Sequence, residues 1–103
     1  MDKETAIRIS KDYLEKVKNS SIVYSQVWMF GSWAKGNGRN DSDIDLAIVV
    51  PGNLNNFDLE VKLMTLRTGE ETMIEPHPIN LDDFTKSNPF TCQIITGGFR
   101  IDI

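Results

Sequence analysis

Apolar positions recur every three to four residues over 3–18, at Ala6, Ile9, Tyr13 and Val17, with Ile7 and Leu14 widening the stripe. That period predicts an amphipathic helix. Asp2 or Thr5 can cap its start, Lys16 and Lys18 suit its last turn, and Asn19-Ser20-Ser21 ends it. The pattern then changes. Residues 22–30, Ile-Val-Tyr-Ser-Gln-Val-Trp-Met-Phe, are aromatic and β-branched and predict a strand. Gly31-Ser32 turns the chain into a short helix over Trp33 to Lys35. Gly36-Asn37-Gly38 breaks it, and a polar loop runs to Ser42. Asp43 to Val50 predicts a second strand, stopped by Pro51-Gly52.

Leu54, Phe57, Val61 and Met64, flanked by Leu59, Leu63 and Leu66, predict a second amphipathic helix ending near Thr68-Gly69. Thr72 to Ile79 reads as a third strand. Its prolines, Pro76 and Pro78, remove ladder donors, so it belongs at a sheet edge or terminates early. Asn80 opens a turn through Asp82-Asp83-Phe84. Asn88-Pro89 is an N-cap followed by proline at the first helical position, which starts a helix over Phe90 to Thr96. Gly97-Gly98 closes that helix, and Phe99 to Ile103 could add a strand. These elements predict an α+β (mixed α/β) fold, a small mixed sheet of three to four strands packed by helices. Strand order stays open.

With 103 residues, 40% of them hydrophobic and 25% charged, residues 1–103 are expected to form one small domain. Such a domain buries one core and leaves little for a separate substrate annex. The net charge of −4 is uneven. Residues 1–40 hold seven basic and four acidic side chains, and residues 41–103 hold four and eleven, so the first stretch is +3 and the second −7. An acidic chain is a poor general nucleic-acid binder, because phosphate contacts dominate that affinity. The acid-rich part either binds cations or is a solvated face. Cys92 is the single cysteine and His77 the single histidine, which excludes an internal disulfide and argues against a zinc site. The N-terminus lacks an apolar signal core, and no run approaches the ~20 apolar residues of a membrane helix, so a cytoplasmic location is expected. On that reading the sequons Asn19-Ser20-Ser21 and Asn40-Asp41-Ser42 carry no glycan.

The chemistry concentrates at Gly31-Ser32 and Asp43-Ile44-Asp45. Residues i and i+2 of a strand share a face, roughly 7 Å apart. Asp43 and Asp45 therefore converge, and Ile44, Leu46 and Ile48 point into the core. Two close carboxylates repel, and a divalent cation removes that cost. Oxygen-only ligands favour Mg²⁺ or Mn²⁺. The plainer alternative is two solvated acids at a strand's start. A strand that turns through Gly-Ser into a helix N-terminus presents N–H groups and a hydroxyl to an anion such as phosphate; the alternative is an ordinary N-cap. A Walker A loop is excluded, because Gly36 is followed by Asn37-Gly38 rather than Lys-Ser/Thr. An EF-hand is excluded too: counted from Asp41, its glycine and glutamate positions hold Leu46 and Gly52.

Gly31-Ser32, ten residues, then Asp43-Ile44-Asp45-Leu46 resembles the signature of the DNA polymerase beta-like nucleotidyltransferase superfamily. Phe30-Gly31-Ser32-Trp33-Ala34-Lys35-Gly36 and Ser42-Asp43-Ile44-Asp45-Leu46 are similar to the minimal nucleotidyltransferase (MNT) proteins. Ile74 to Ile79 and Asn88-Pro89-Phe90 also look like that group. The resemblance implies the nucleotidyltransferase fold and transfer of a nucleoside monophosphate, AMP from ATP or another NTP, to an acceptor hydroxyl. It implies three carboxylates, Asp43, Asp45 and Glu75, as catalytic residues and as ligands of two Mg²⁺ ions. Many members carry aspartate where this chain has Glu75. Gly31 and Ser32 would hold the β- and γ-phosphates, and Lys35 or Arg39 would neutralise further phosphate charge. Glu75, beside the acceptor-side metal, could accept the acceptor's proton. His77 shares the face of Glu75, although a surface or proline-framed structural histidine is the plainer reading. Trp33 reads as a packed indole rather than a base-stacking one.

A chain of this length leaves no room for an acceptor-binding domain, so the acceptor is expected on another polypeptide. The resemblance implies a toxin–antitoxin pair, with a helical HEPN toxin as partner and a tyrosine hydroxyl as acceptor; a homo-oligomer is compatible with it. Two alternatives stay open. One is a non-catalytic module that neutralises its partner by covering it. The other is modification of a small molecule, which would need a dimer to build the pocket.

Overall fold

The computed structural model describes residues 1–39, 41–52 and 56–102. Helix α1 spans Lys3–Asn19. Its N-cap Asp2 accepts from the Thr5 amide at 2.8 Å, which holds the Asp2 carboxyl below its ordinary range. Ala6, Ile9, Tyr13, Leu14 and Val17 are buried, as the periodicity predicts. The Tyr13 hydroxyl, also inside, donates to the Leu63 carbonyl at 2.6 Å, and burial pushes its pKa well up.

Four strands form one mixed sheet: β1 (Gln26–Phe30), β2 (Ile44–Val50), β3 (Ile74–Asn80) and β4 (Phe99–Ile101), in the order β3-β2-β1-β4. β1 runs antiparallel to β2 and to β4, and β2 runs parallel to β3. A parallel pair needs a crossover, and α2 (Asn56–Thr65) lies within it. β3 sits at the sheet edge, where its two prolines cost fewest ladder bonds.

Period-2 alternation divides the sheet. Val27, Met29, Ile44, Leu46, Ile48, Val50 and Ile74 face α1 and Leu63 of α2, forming the larger core. Ala47 and Ile79 face the opposite way and pack on Ile94 of α3 (Pro89–Gly97), with Trp28, Phe30 and Phe84 around them. α3 starts as predicted, with Asn88 as N-cap accepting from the Phe90 amide at 3.0 Å. Full burial contributes roughly 1.5–3 kcal/mol per large apolar side chain, so both faces are strongly specified.

The structure departs from the pattern in several places; β2 begins at Ile44 rather than Asp43, and α2 ends at Thr65 rather than near Thr68-Gly69. β1 begins at Gln26 rather than Ile22; Ser25, just before it, donates both its amide and its hydroxyl to the Val49 carbonyl. Residues 33–35 form successive turns rather than a helix; one helical bond, Lys35 N–H to Gly31 at 3.1 Å, is followed by turn bonds at Gly36 and Asn37. β3 begins at Ile74 because Gly69–Met73 forms a 3₁₀ turn, closed by a Thr68–Glu71 capping box and tied to α1 by the Lys16–Glu71 ion pair at 2.7 Å. In α2 the predicted stripe faces outward: Phe57, Val61 and Met64 are 72%, 49% and 40% exposed. Leu59, Leu63 and Leu66 meet the core instead. The helix carries two apolar stripes, and only one can lie on the sheet. The expected helix position Leu54, the strand end Ile103 and the sequon residue Asn40 lie outside the described residues.

Candidate active site

Asp45 is the second residue of β2 and stands opposite Phe30 on β1 and opposite Glu75 on β3. Alternation puts Asp45, Glu75 and His77 on the α3 side of the sheet, at the end that Ile94 does not cover. The His77 Nε2 lies 3.4 Å from Asp45 Oδ1 and 3.9 Å from Glu75 Oε1. One ligand atom from each of the three residues lies within 4.8 Å of the others. Asp45 and His77 are part-buried and Glu75 is exposed. Atoms that share an ion at about 2.0–2.2 Å lie no further apart than roughly 4.4 Å; the two distances from His77 Nε2 fall inside that span.

Gly31 backs this group. Its φ is +78°, and a Cβ there would lie 2.3 Å from Asp45 Oδ2. Glycine is thus required twice, by the left-handed backbone and by the carboxylate packed on it. The same carboxylate turns its other oxygen, Oδ1, to His77. Ser32 follows on the exposed side of the turn.

Aromatic rings wall the histidine. Phe30 lies 5.2 Å from the His77 ring and Phe90, from the first turn of α3, lies 6.1 Å from it. Phe30 and Phe90 meet edge to face at 5.8 Å. Trp33 is buried away from this wall. Its Nε1–H donates to the Ser42 carbonyl at 3.3 Å, and Gly38 lies on its ring, where a Cβ would come within 2.2 Å. Ser42 also accepts from the Arg39 amide at 3.0 Å. Trp33 therefore holds Gly38 and Ser42, the residue before Asp43, against one indole.

Of the residues singled out in the sequence, Asp45 and Glu75 are brought together beside Gly31. Asp43 is exposed just before β2, and its carboxylate lies outside the three-residue group. Lys35 and Arg39 are exposed on the turn and loop. His77 stands beside the acids, its ring against Phe30 and Phe90; its two-residue spacing from Glu75 is the signal in the sequence for that shared face. No local pattern in the sequence marks Phe30 and Phe90 as neighbours of His77.

Residues 11–101 match the family model described as polymerase beta, nucleotidyltransferase. No curated protein matches the chain. Among solved structures it is similar to a Sulfolobus solfataricus protein provisionally described as a nucleotidyltransferase, with 24% identity, TM-score 0.65, and 79% of this chain and 72% of that one covered. It is also similar to a chain of a toxin–antitoxin complex with AMP-PNP, with 20% identity, TM-score 0.59, and coverage of 88% and 71%. A third similarity is to a chain of the tri-AMPylated Shewanella oneidensis HEPN toxin in complex with MNT antitoxin, with 14% identity, TM-score 0.56, and coverage of 97% and 71%. These likenesses establish the fold.

Proposed function

The chain belongs to the polymerase beta nucleotidyltransferase family, and from that premise we propose that it transfers AMP from ATP to a hydroxyl on a helical partner protein of the HEPN toxin class. The observation that carries this reading is the register pairing of Asp45 with Glu75 beside the Gly31 turn. The partner class is supported by the toxin–antitoxin complexes among the structural neighbours, one of them holding an ATP analogue and another an AMPylated toxin.

In this mechanism the acceptor oxygen attacks the α-phosphorus, the bond from that phosphorus to the bridging oxygen breaks, and pyrophosphate leaves. Asp43 and Asp45 would hold the divalent cation that enters with the triphosphate; Asp45 and Glu75 would hold a second beside the acceptor. When bound, such ions neutralise phosphate charge and lower the pKa of the attacking hydroxyl. Glu75, the most exposed of the three clustered residues, takes the acceptor's proton. The Gly31 N–H and Ser32 hydroxyl donate to the departing phosphates, and Lys35 and Arg39 offset their charge as the pyrophosphate separates.

Incubation with ATP, Mg²⁺ and the product of the adjacent reading frame tests the proposal by intact mass. The partner should gain one or more adenylates, and Asp43→Ala and Asp45→Asn should each abolish the gain. An unmodified partner that is nevertheless neutralised, equally by the wild type and by both variants, would replace transfer with simple covering.

A further inference from the structure

The two acids of the cluster are accounted for by the reading above; the imidazole beside them is not. We propose that His77 Nε2 is a direct ligand of the cation held between Asp45 and Glu75, making this an N,O site that prefers Mn²⁺ to Mg²⁺. The proposal deepens the metal chemistry of the transferase reading, but ion binding by these residues does not require that any transfer occurs.

Three observations carry it. The first is distance: Nε2 lies 3.4 Å and 3.9 Å from one oxygen of each acid, both within the span of atoms sharing one ion. The second is orientation. The ring packs against the edge-to-face pair of Phe30 and Phe90, and its Nε2 is turned to the carboxylates. The third is the backbone. Glu75 and His77 are each followed by proline, in Glu75-Pro76-His77-Pro78. A residue before proline is confined to extended conformations, so both side chains are set on one face with little ordering cost on folding. Preorganisation of that kind favours a ligand set over a chance contact.

Donor type then decides the ion. Mg²⁺ demands near-ideal octahedral geometry and dehydrates reluctantly, whereas a site with a nitrogen donor gains affinity along the first-row divalent series that begins with Mn²⁺. The competing account needs no metal: a protonated His77 bridging the two carboxylates as an ion pair. The two accounts differ in what a bound Mn²⁺ would feel.

His77 is the only histidine in the chain, so any imidazole nitrogen coupled to bound Mn²⁺ is its own. Untagged, chelator-stripped full chain is titrated with Mn²⁺ and with Mg²⁺ as competitor by electron paramagnetic resonance, without nucleotide. Pulsed measurements on the bound ion then read ¹⁴N modulation. The wild type should bind Mn²⁺ in preference to Mg²⁺ and show directly coordinated nitrogen. His77→Ala should lose the modulation and at least about tenfold in Mn²⁺ affinity, the lower end of the cost of removing even an outer-sphere partner. His77→Gln, which keeps an oxygen donor and the side-chain volume, should lose the modulation and keep Mg²⁺ binding, with circular dichroism checking its fold. Bound Mn²⁺ without ¹⁴N coupling, no measurable binding, or equal Mn²⁺ affinity in His77→Ala would each overturn the proposal. Nitrogen-coordinated Mn²⁺ in a protein that modifies no partner would instead overturn the transferase reading and leave the ligand assignment standing.

Discussion

Gly31→Ala isolates the contact on which the site geometry turns. At φ +78° an alanine costs about 1–2 kcal/mol relative to glycine, because its Cβ crowds the following carbonyl. The new Cβ would also lie 2.3 Å from Asp45 Oδ2, so the carboxylate must leave its rotamer, at roughly 0.5–1.5 kcal/mol. The sum is about 1.5–3.5 kcal/mol, or a fall of roughly 6–28 °C in Tm at about 4–8 °C per kcal/mol for a chain near this size. Gly36→Ala supplies the control. Its φ is +80°, and nothing lies within 4 Å of the added Cβ, so only the backbone cost of about 1–2 kcal/mol applies. Urea unfolding followed by tryptophan fluorescence and circular dichroism measures both. In an Asp45→Ala background the steric part disappears, and Gly31→Ala should then cost what Gly36→Ala costs, a coupling of about 0.5–1.5 kcal/mol. Equal costs for the two glycines in the wild-type background, with no coupling to Asp45, would refute the packing of that carboxylate on Gly31.

Leu63→Ala should destabilise by about 2–5 kcal/mol because the side chain is fully buried, whereas Val61→Ala and Met64→Ala should stay within about 0.5 kcal/mol; denaturant midpoints that rank Val61 with Leu63 would reverse the orientation of α2. Tyr13 keeps its proton more tightly folded than unfolded, so its contribution is complete below about pH 10 and is lost as pH rises above that value. The alkaline fall in Tm should therefore be shallower in Tyr13→Phe, whose stability at pH 7 is about 1 kcal/mol lower for want of the bond to Leu63. Glu71→Ala removes both the ion pair to Lys16 and half of the capping box, at about 1–2 kcal/mol; most of that difference should survive in 1 M salt, where the Debye length is about 3 Å, because the capping bond is not a screened charge pair.

What the sequence determined by itself is local. The helical period and the Asp2 cap specify α1, Asn88-Pro89 specifies the start of α3, and paired prolines assign β3 to an edge, because each of these follows from neighbouring residues and backbone sterics. The spacing from Gly31-Ser32 to Asp45 likewise joins a glycine turn to the carboxylate packed on it, while Asp43 lies outside the cluster. What only the tertiary structure decided is pairing. His77 reaches Asp45 across 32 residues of chain because β2 and β3 align Asp45 with Glu75 and Ala47 with His77. A slip of one residue would turn Glu75 and His77 to the opposite face, and no local pattern fixes that register. The same holds for α2, whose two apolar stripes are equivalent until the sheet buries one, and for Phe90, which joins the histidine wall only because α3 packs across Ala47 and Ile79. Periodicity and capping are set within a few residues; register and the choice of buried face are set by burial between segments distant in the chain, where the hydrophobic gain from one packing arrangement selects among locally equal options.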